Sequence, residues 1–266
     1  MTLVIFIAAF VLLWFLLKPY FQKYDNVVLY TGTLGSGKTF CGVKTSIKLL
    51  KKNRFKVFLY NLAPWHKEKK PKPLLYSNVP IRIKKTEWSI PLKAEHFLMT
   101  ERVVEKSVIF SDEISLVLSQ QDFKTVNDKA LSDFCTLVRQ YTEGGYWVLT
   151  TQSVQKVNHH IRRCLDSAYR LSEFRHFFKL FYKVNVRHID ICEDTININE
   201  KHSEDSTSRI FGLFGGKKYD TYCYSIRYKK VPFGLAIPFK KFKTKKIARI
   251  PVKTKLPCYI DEGDDE

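Results

Sequence analysis

The first seventeen residues, Met1 to Leu17, are apolar or uncharged throughout, and Lys18, Tyr20, Phe21 and Lys23 follow directly. That run is at the short limit for a membrane-spanning helix, which needs about 17–25 residues. The aromatic and basic border matches side chains that sit at the headgroup level. A cleaved signal peptide would want a basic start and a small-residue cleavage site, and neither is present. The pattern predicts an uncleaved anchor over residues 1–20, with basic residues on its C-terminal side placing the body of the chain in the cytoplasm.

Beyond the anchor, short apolar runs alternate with helical spacing. Val27 to Tyr30 reads as a strand. Val43, Ile47 and Leu50 recur at helical spacing, which predicts a helix from Cys41 to Leu50 ended by Lys51, Lys52 and Asn53. Phe55 to Tyr60 then reads as a buried strand, residues 66–73 as a basic, proline-bearing loop, and residues 74–81, which contain Asn78, as a further strand. Val108 to Phe110 is another strand. A helix from Asp128 to Tyr141, with Asn127 as its cap, puts Leu131, Phe134 and Val138 on one face. Gly144 and Gly145 break it, and a strand returns from Tyr146 and ends near Gln152. Strands separated by helices predict an α/β fold with a mostly parallel sheet, whose carboxyl ends share one ligand-binding edge.

From about Ser167 aromatic and basic residues alternate, the pattern of antiparallel strands with one apolar face. Those aromatics either form the buried face of a small sheet or stack on single-stranded bases. The division expected is an anchor at 1–20, a catalytic domain at 21–166, a β-rich extension at 167–239, and a basic then acidic tail at 240–266.

Candidate chemistry begins where the first strand ends. Gly32, Thr33, Leu34, Gly35, Ser36, Gly37, Lys38 and Thr39 have the P-loop spacing between a strand and a helix. Small residues let backbone N–H groups turn inward around phosphate oxygens, and the following helix aims its positive end at the same anion. Lys38 is placed for the β- and γ-phosphates and the Thr39 hydroxyl for Mg²⁺. With Phe40 these residues are the expected nucleotide contacts, and ATP with Mg²⁺ the expected ligands. An apolar strand then delivers Asp112 and Glu113 at its carboxyl end. Downstream of a P-loop, that pair assigns Asp112 to the metal and Glu113 to activation of the attacking water. Gln152, at the tip of the next strand, is expected to sense the γ-phosphate through that water, or else simply to form a turn. Arg139, Arg162 and Arg163 are either candidates for an arginine finger acting across a subunit interface or surface and nucleic-acid-contacting residues.

Charge and cysteine content narrow the class. Lys and Arg outnumber Asp and Glu by 45 to 26, a net charge of +19, which points to a polyanionic partner: nucleic acid or an anionic membrane surface. The six cysteines are scattered without a CxxC pair, so neither a zinc site nor a dense disulfide scaffold is indicated.

The loop GTLGSGKT, the SNVPI segment at 77–81, the FSDE strand end, LTTQS after a helix bearing Arg139, IRR at 161–163 and YDTY at 219–222 together resemble the Zot-like ATPases. This zonular occludens toxin N-terminal family includes the morphogenesis proteins of filamentous phages and is distantly related to FtsK–HerA DNA-pumping motors. The resemblance spans roughly residues 25–225. It implies a RecA-like P-loop NTPase fold, a homo-oligomeric ring, phage DNA as partner, and ATP hydrolysis at the host inner membrane during virion assembly or extrusion. One departure stands out: such assembly ATPases usually carry their membrane segment after the ATPase domain, and here it precedes the P-loop. Pumping a genome into a preformed capsid is the second function considered. A third is a non-hydrolysing, ATP-switched membrane scaffold that recruits coat or secretion proteins.

Overall fold

The computed structural model describes residues 23–66, 68–84, 86–117, 128–177, 180–189, 207–213 and 218–219. The expected anchor, the Asn127 cap, the sequence after Tyr219 and the tail at 240–266 lie outside them. Among the described residues no helix is long and apolar enough to cross a membrane.

Among the described residues one eight-stranded sheet organises the fold: β1 (Val27–Gly32), β2 (Leu75–Ser77), β3 (Ile90–Pro91), β4 (Val108–Ser111), β5 (Tyr146–Thr151), β6 (Ser167–Phe177), β7 (Phe181–Ile189) and β8 (Thr207–Leu213). Their order is β3-β2-β4-β5-β1-β6-β7-β8. Every neighbouring pair from β3 to β6 is parallel, and the pairs β6–β7 and β7–β8 are antiparallel, so β7 alone runs against the others. The α/β fold with a mostly parallel sheet is therefore as expected. The change of character at residue 167 marks β6, which pairs with β1 inside this same sheet.

Helices cover both faces. Along β4 and β5 alternate side chains point to opposite sides. Val108, Phe110, Tyr146 and Val148 meet Val43, Ile47 and Leu50 of α1 (Lys38–Leu62). Ile109, Trp147 and Leu149 meet Phe97 of α2 (Ala94–Phe97) and Leu131, Phe134 and Val138 of α4 (Asp128–Tyr141). Between these, α3 (Ile114–Val117) follows β4, and α5 (His159–Arg163) follows β5.

The strand expected at Phe55–Tyr60 is not a strand; it is the second half of α1, which runs for 25 residues. Lysine is a good helix former, so Lys51 and Lys52 do not stop it. Nor does Asn53, because its neighbourhood is tied down from outside. Lys52 Nζ donates to the Tyr146 hydroxyl at 3.1 Å, Asn53 Nδ2 to the Lys106 carbonyl at 2.6 Å, and Arg54 forms a two-pronged pair with Glu87 at 2.6 and 3.0 Å. The apolar run itself is mostly wet: Phe58 is 58% and Leu59 40% exposed. The helix ends where Pro64 disfavours helical geometry at Ala63. The strand expected over residues 74–81 is cut to Leu75–Ser77, and Asn78 turns inward instead of extending it. In the basic loop, Lys70 pairs with Glu105 and Lys72 with Glu87, both at 2.9 Å, so these lysines bridge surface elements.

Candidate functional site

The loop from β1 to α1 is shaped by its glycines. Gly37 sits at φ +87°, where a side chain is strained, and a Cβ there would come within 2.6 Å of the Phe174 ring. A Cβ on Gly32 would approach the Leu171 carbonyl to 2.6 Å, so β1 and β6 close together only over a glycine. Among the described residues, Ser36 Oγ is buried without a hydrogen-bond partner. A buried orphan hydroxyl costs free energy unless a ligand satisfies it. It lies beside Lys38, only 5% exposed at the first position of α1. The residues present thus fit a phosphate group.

Lys38 Nζ lies 2.9 Å from Glu113 Oε1, and Gln152 Nε2 donates to the same oxygen at 3.3 Å. The P-loop lysine, the candidate base and the candidate sensor, separated in sequence by up to 114 residues (152 − 38), form one cluster. Glu113 takes φ +46°, a left-handed conformation unusual for a residue with a side chain. Such a backbone is held only when surroundings over-determine it, and here Glu113 N–H donates to Thr150 Oγ1 at 2.9 Å.

Asp112 is buried and accepts from the Thr39 hydroxyl at 2.9 Å and the Thr150 hydroxyl at 2.5 Å. Burial pushes its carboxyl up to about 6, with the Glu113 charge adding, although the Thr150 and Thr39 hydrogen bonds and Lys38 pull the other way. A divalent cation would reverse that balance. Two hard oxygen donors side by side, one on the P-loop helix and one at the strand end, suit Mg²⁺.

Two contributors were not assigned roles from sequence. Asn78 clamps the Asp112 backbone from both sides: its Nδ2 donates to the Asp112 carbonyl at 2.9 Å, and its Oδ1 accepts from the Asp112 N–H at 2.8 Å. Thr150 links Asp112 and Glu113. Each follows or ends an apolar run at the carboxyl edge, and a polar residue at that point was the signal available.

Other expected residues lie elsewhere. The Phe40 ring turns away from the loop and packs on Phe174 and Tyr182, with centroids 5.1 and 5.0 Å away, so its side chain anchors α1 to the outer strands. Leu34 is exposed at the loop tip. Arg139 and Arg163 line a cleft of about 570 Å³ that also holds Asn26 and Val27. These begin β1, whereas the P-loop follows its end, so both arginines lie at the opposite edge of the sheet from Lys38. Arg162 is half-buried on α5 beside Arg163. A contact from Arg139 or Arg163 to a phosphate at Lys38 would have to reach another copy of the chain.

The chain matches the family model of the zonular occludens toxin (Zot) over residues 26–212. No curated protein matches it. Among solved structures it is similar to the N-terminal domain of zonular occludens toxin from Neisseria meningitidis, at 14% identity and TM-score 0.39, covering 76% of this chain and 98% of that one. It is also similar to the genome packaging NTPase B204 from Sulfolobus turreted icosahedral virus 2 in complex with AMP, at 10% identity and TM-score 0.39, covering 63% and 98%. A third is the flagellar accessory protein FlaH from Methanocaldococcus jannaschii, at 15% identity and TM-score 0.38, covering 65% and 82%.

Proposed function

The chain belongs to the zonular occludens toxin family, and from that premise we propose that it is a membrane-anchored ATPase whose turnover drives phage DNA movement in virion assembly or extrusion. The single observation that carries the enzymatic part is the cluster of Lys38, Glu113 and Gln152 beside Thr39 and Asp112. ATP is the substrate. The loop from Gly32 to Thr39 and the buried Ser36 hydroxyl bind its phosphates, and Lys38 neutralises the β- and γ-oxygens. Mg²⁺, held by Thr39 and Asp112, supplies further charge neutralisation when bound.

Glu113 orients a water and takes its proton, and Gln152 fixes the position of that carboxylate. Lys38 Nζ lies 2.9 Å from Glu113 Oε1, so the phosphate-binding lysine and the base sit in one cluster. Completion of the site by an arginine from a neighbouring copy accounts for a ring, and the apolar run at residues 1–20 accounts for attachment to the host inner membrane.

The test is steady-state ATPase of the full chain in detergent, alone and with single-stranded or duplex DNA. Lys38→Ala is expected to abolish nucleotide binding and turnover. Glu113→Gln should keep binding and lower turnover by about 10²–10⁴-fold. DNA-stimulated turnover lost in both variants supports the motor. Nucleotide binding with no turnover under any nucleic acid overturns it and leaves a scaffold.

A further inference from the structure

The outer strands carry a feature the nucleotide site does not use. On β7, Tyr182, Val184 and Val186 are buried against Phe40 and Cys41 of α1. The intervening residues Phe181, Lys183, Asn185 and Arg187 therefore lie on the other face. Register extends that face across three strands. Arg170 stands opposite Arg187, Arg175 opposite Lys183, and Phe177 opposite Phe181. On the far side, Phe181 stands opposite Leu213, Lys183 opposite Phe211, and Asn185 opposite Arg209. A row of Phe177, Phe181 and Leu213 thus runs beside a row of Arg175, Lys183 and Phe211.

These phenylalanines are wet. Phe177, Phe181 and Phe211 are 49%, 53% and 66% exposed, whereas Tyr182 on the opposite face is 5% exposed. The Lys183 ammonium sits 5.9 Å from the Phe211 ring centroid. Among the described residues no carboxylate forms an ion pair with Arg175, Lys183, Arg187 or Arg209. Glu173, on this face, accepts from Asn185 Nδ2 at 3.0 Å. Exposed aromatics cost solvation, and clustered cations repel. Together they are relieved by a ligand that offers flat apolar faces and regularly spaced negative charge.

We infer that the face of β6–β7–β8 turned away from α1 binds single-stranded nucleic acid, with Phe177, Phe181 and Phe211 stacking on bases and Arg175, Lys183, Arg187 and Arg209 contacting phosphates. A duplex hides its base faces within the stack, so it cannot use the phenylalanines. An anionic lipid surface would use the cations without a stacking requirement. The inference rests on the register and exposure of the outer strands. It deepens the DNA part of the proposed function and is independent of the ATPase part.

The experiment is fluorescence anisotropy of a labelled oligo-dT strand, and of a duplex of equal length, with the full chain in detergent and no nucleotide. Two triple variants are compared with the parent: Phe177→Ala with Phe181→Ala and Phe211→Ala, and Arg175→Gln with Lys183→Gln and Arg209→Gln. The aromatic variant should weaken oligo-dT binding by about tenfold or more and leave the salt dependence unchanged. The glutamine variant should flatten the dependence of log affinity on log salt by about 2, at roughly 0.7 for each phosphate contact removed. Retained binding of a fluorescent ATP analogue shows that either variant is folded. The inference is overturned if the aromatic variant binds oligo-dT as tightly as the parent, or loses duplex binding equally. It is also overturned if the substitutions change only binding to phosphatidylserine vesicles or self-association.

Discussion

In β4 and β5 every residue is buried, whichever face it points to, whereas in β7 burial alternates along the strand. Both belong to one sheet, but the first region is enclosed by α1 on one side and α2 and α4 on the other. Among the described residues the second is backed by α1 on one side only. The difference follows from connectivity. Parallel strands need crossover helices that land on the sheet faces, whereas β6, β7 and β8 pair antiparallel, an arrangement that can leave one sheet face to solvent. The enclosed region can hold Asp112 dry and fixed beside Thr39 and Thr150. The outer strands can present large side chains to a partner. Rigid chemistry and open contact are separated along the sheet, with Gly32 and Gly37 at their meeting point against Leu171 and Phe174.

The sharpest way to break the comparison is to truncate a large side chain in the enclosed region. Trp147 is fully buried, packs on Phe97 and Phe134, and donates to Ser111 Oγ at 3.1 Å. Trp147→Ala should cost about 3–5 kcal/mol in denaturant unfolding. An equally large loss from Phe211→Ala, expected to stay within about 0.5 kcal/mol, would mean the outer face is covered after all.

Asn78→Ala tests whether the site is positioned from a distance. It strips both hydrogen bonds from the Asp112 backbone and should cost about 2 kcal/mol. A purely structural role would stop there. Positioning of the metal ligand predicts in addition that half-maximal activity needs about tenfold more Mg²⁺.

A smaller effect than those in the enclosed region is expected at the Glu87 ion pair. The Arg54 hydrogen bonds hold the Glu87 carboxyl down to about 2, against the rise that burial causes and with help from Lys72. A depressed carboxyl stabilises the fold above its unfolded value of 4.5, and that contribution is lost as pH falls from there toward about 2. Glu87→Gln should therefore cost about 1 kcal/mol at neutral pH, discounted for its partial exposure. It should also flatten the acid limb of a stability-against-pH curve.

The nucleotide site was legible because its parts are local. Phosphate binding uses backbone N–H groups of one loop, so the spacing from Gly32 to Thr39 carries it. Asp112 and Glu113 are recognised from the four apolar and polar residues before them. Phe55–Tyr60 was misread for the converse reason: a run of five apolar or aromatic residues interrupted only by Lys56 favours strand or helix almost equally. The choice was made by the partners of Lys52, Asn53 and Arg54, which lie at Tyr146, Lys106 and Glu87.

The chain by itself thus determined an α/β order, a phosphate-binding loop, a carboxylate pair at a strand end, and a strongly cationic composition. Tertiary structure alone decided that α1 runs to Leu62, that Asn78 clamps Asp112, and that Glu113 is held by Lys38 and Gln152. It also decided which aromatics of the outer strands are core and which are surface. In a strand of period two, a shift of one residue exchanges the faces. Only pairing with distant strands, and the helix that covers one side, sets that register.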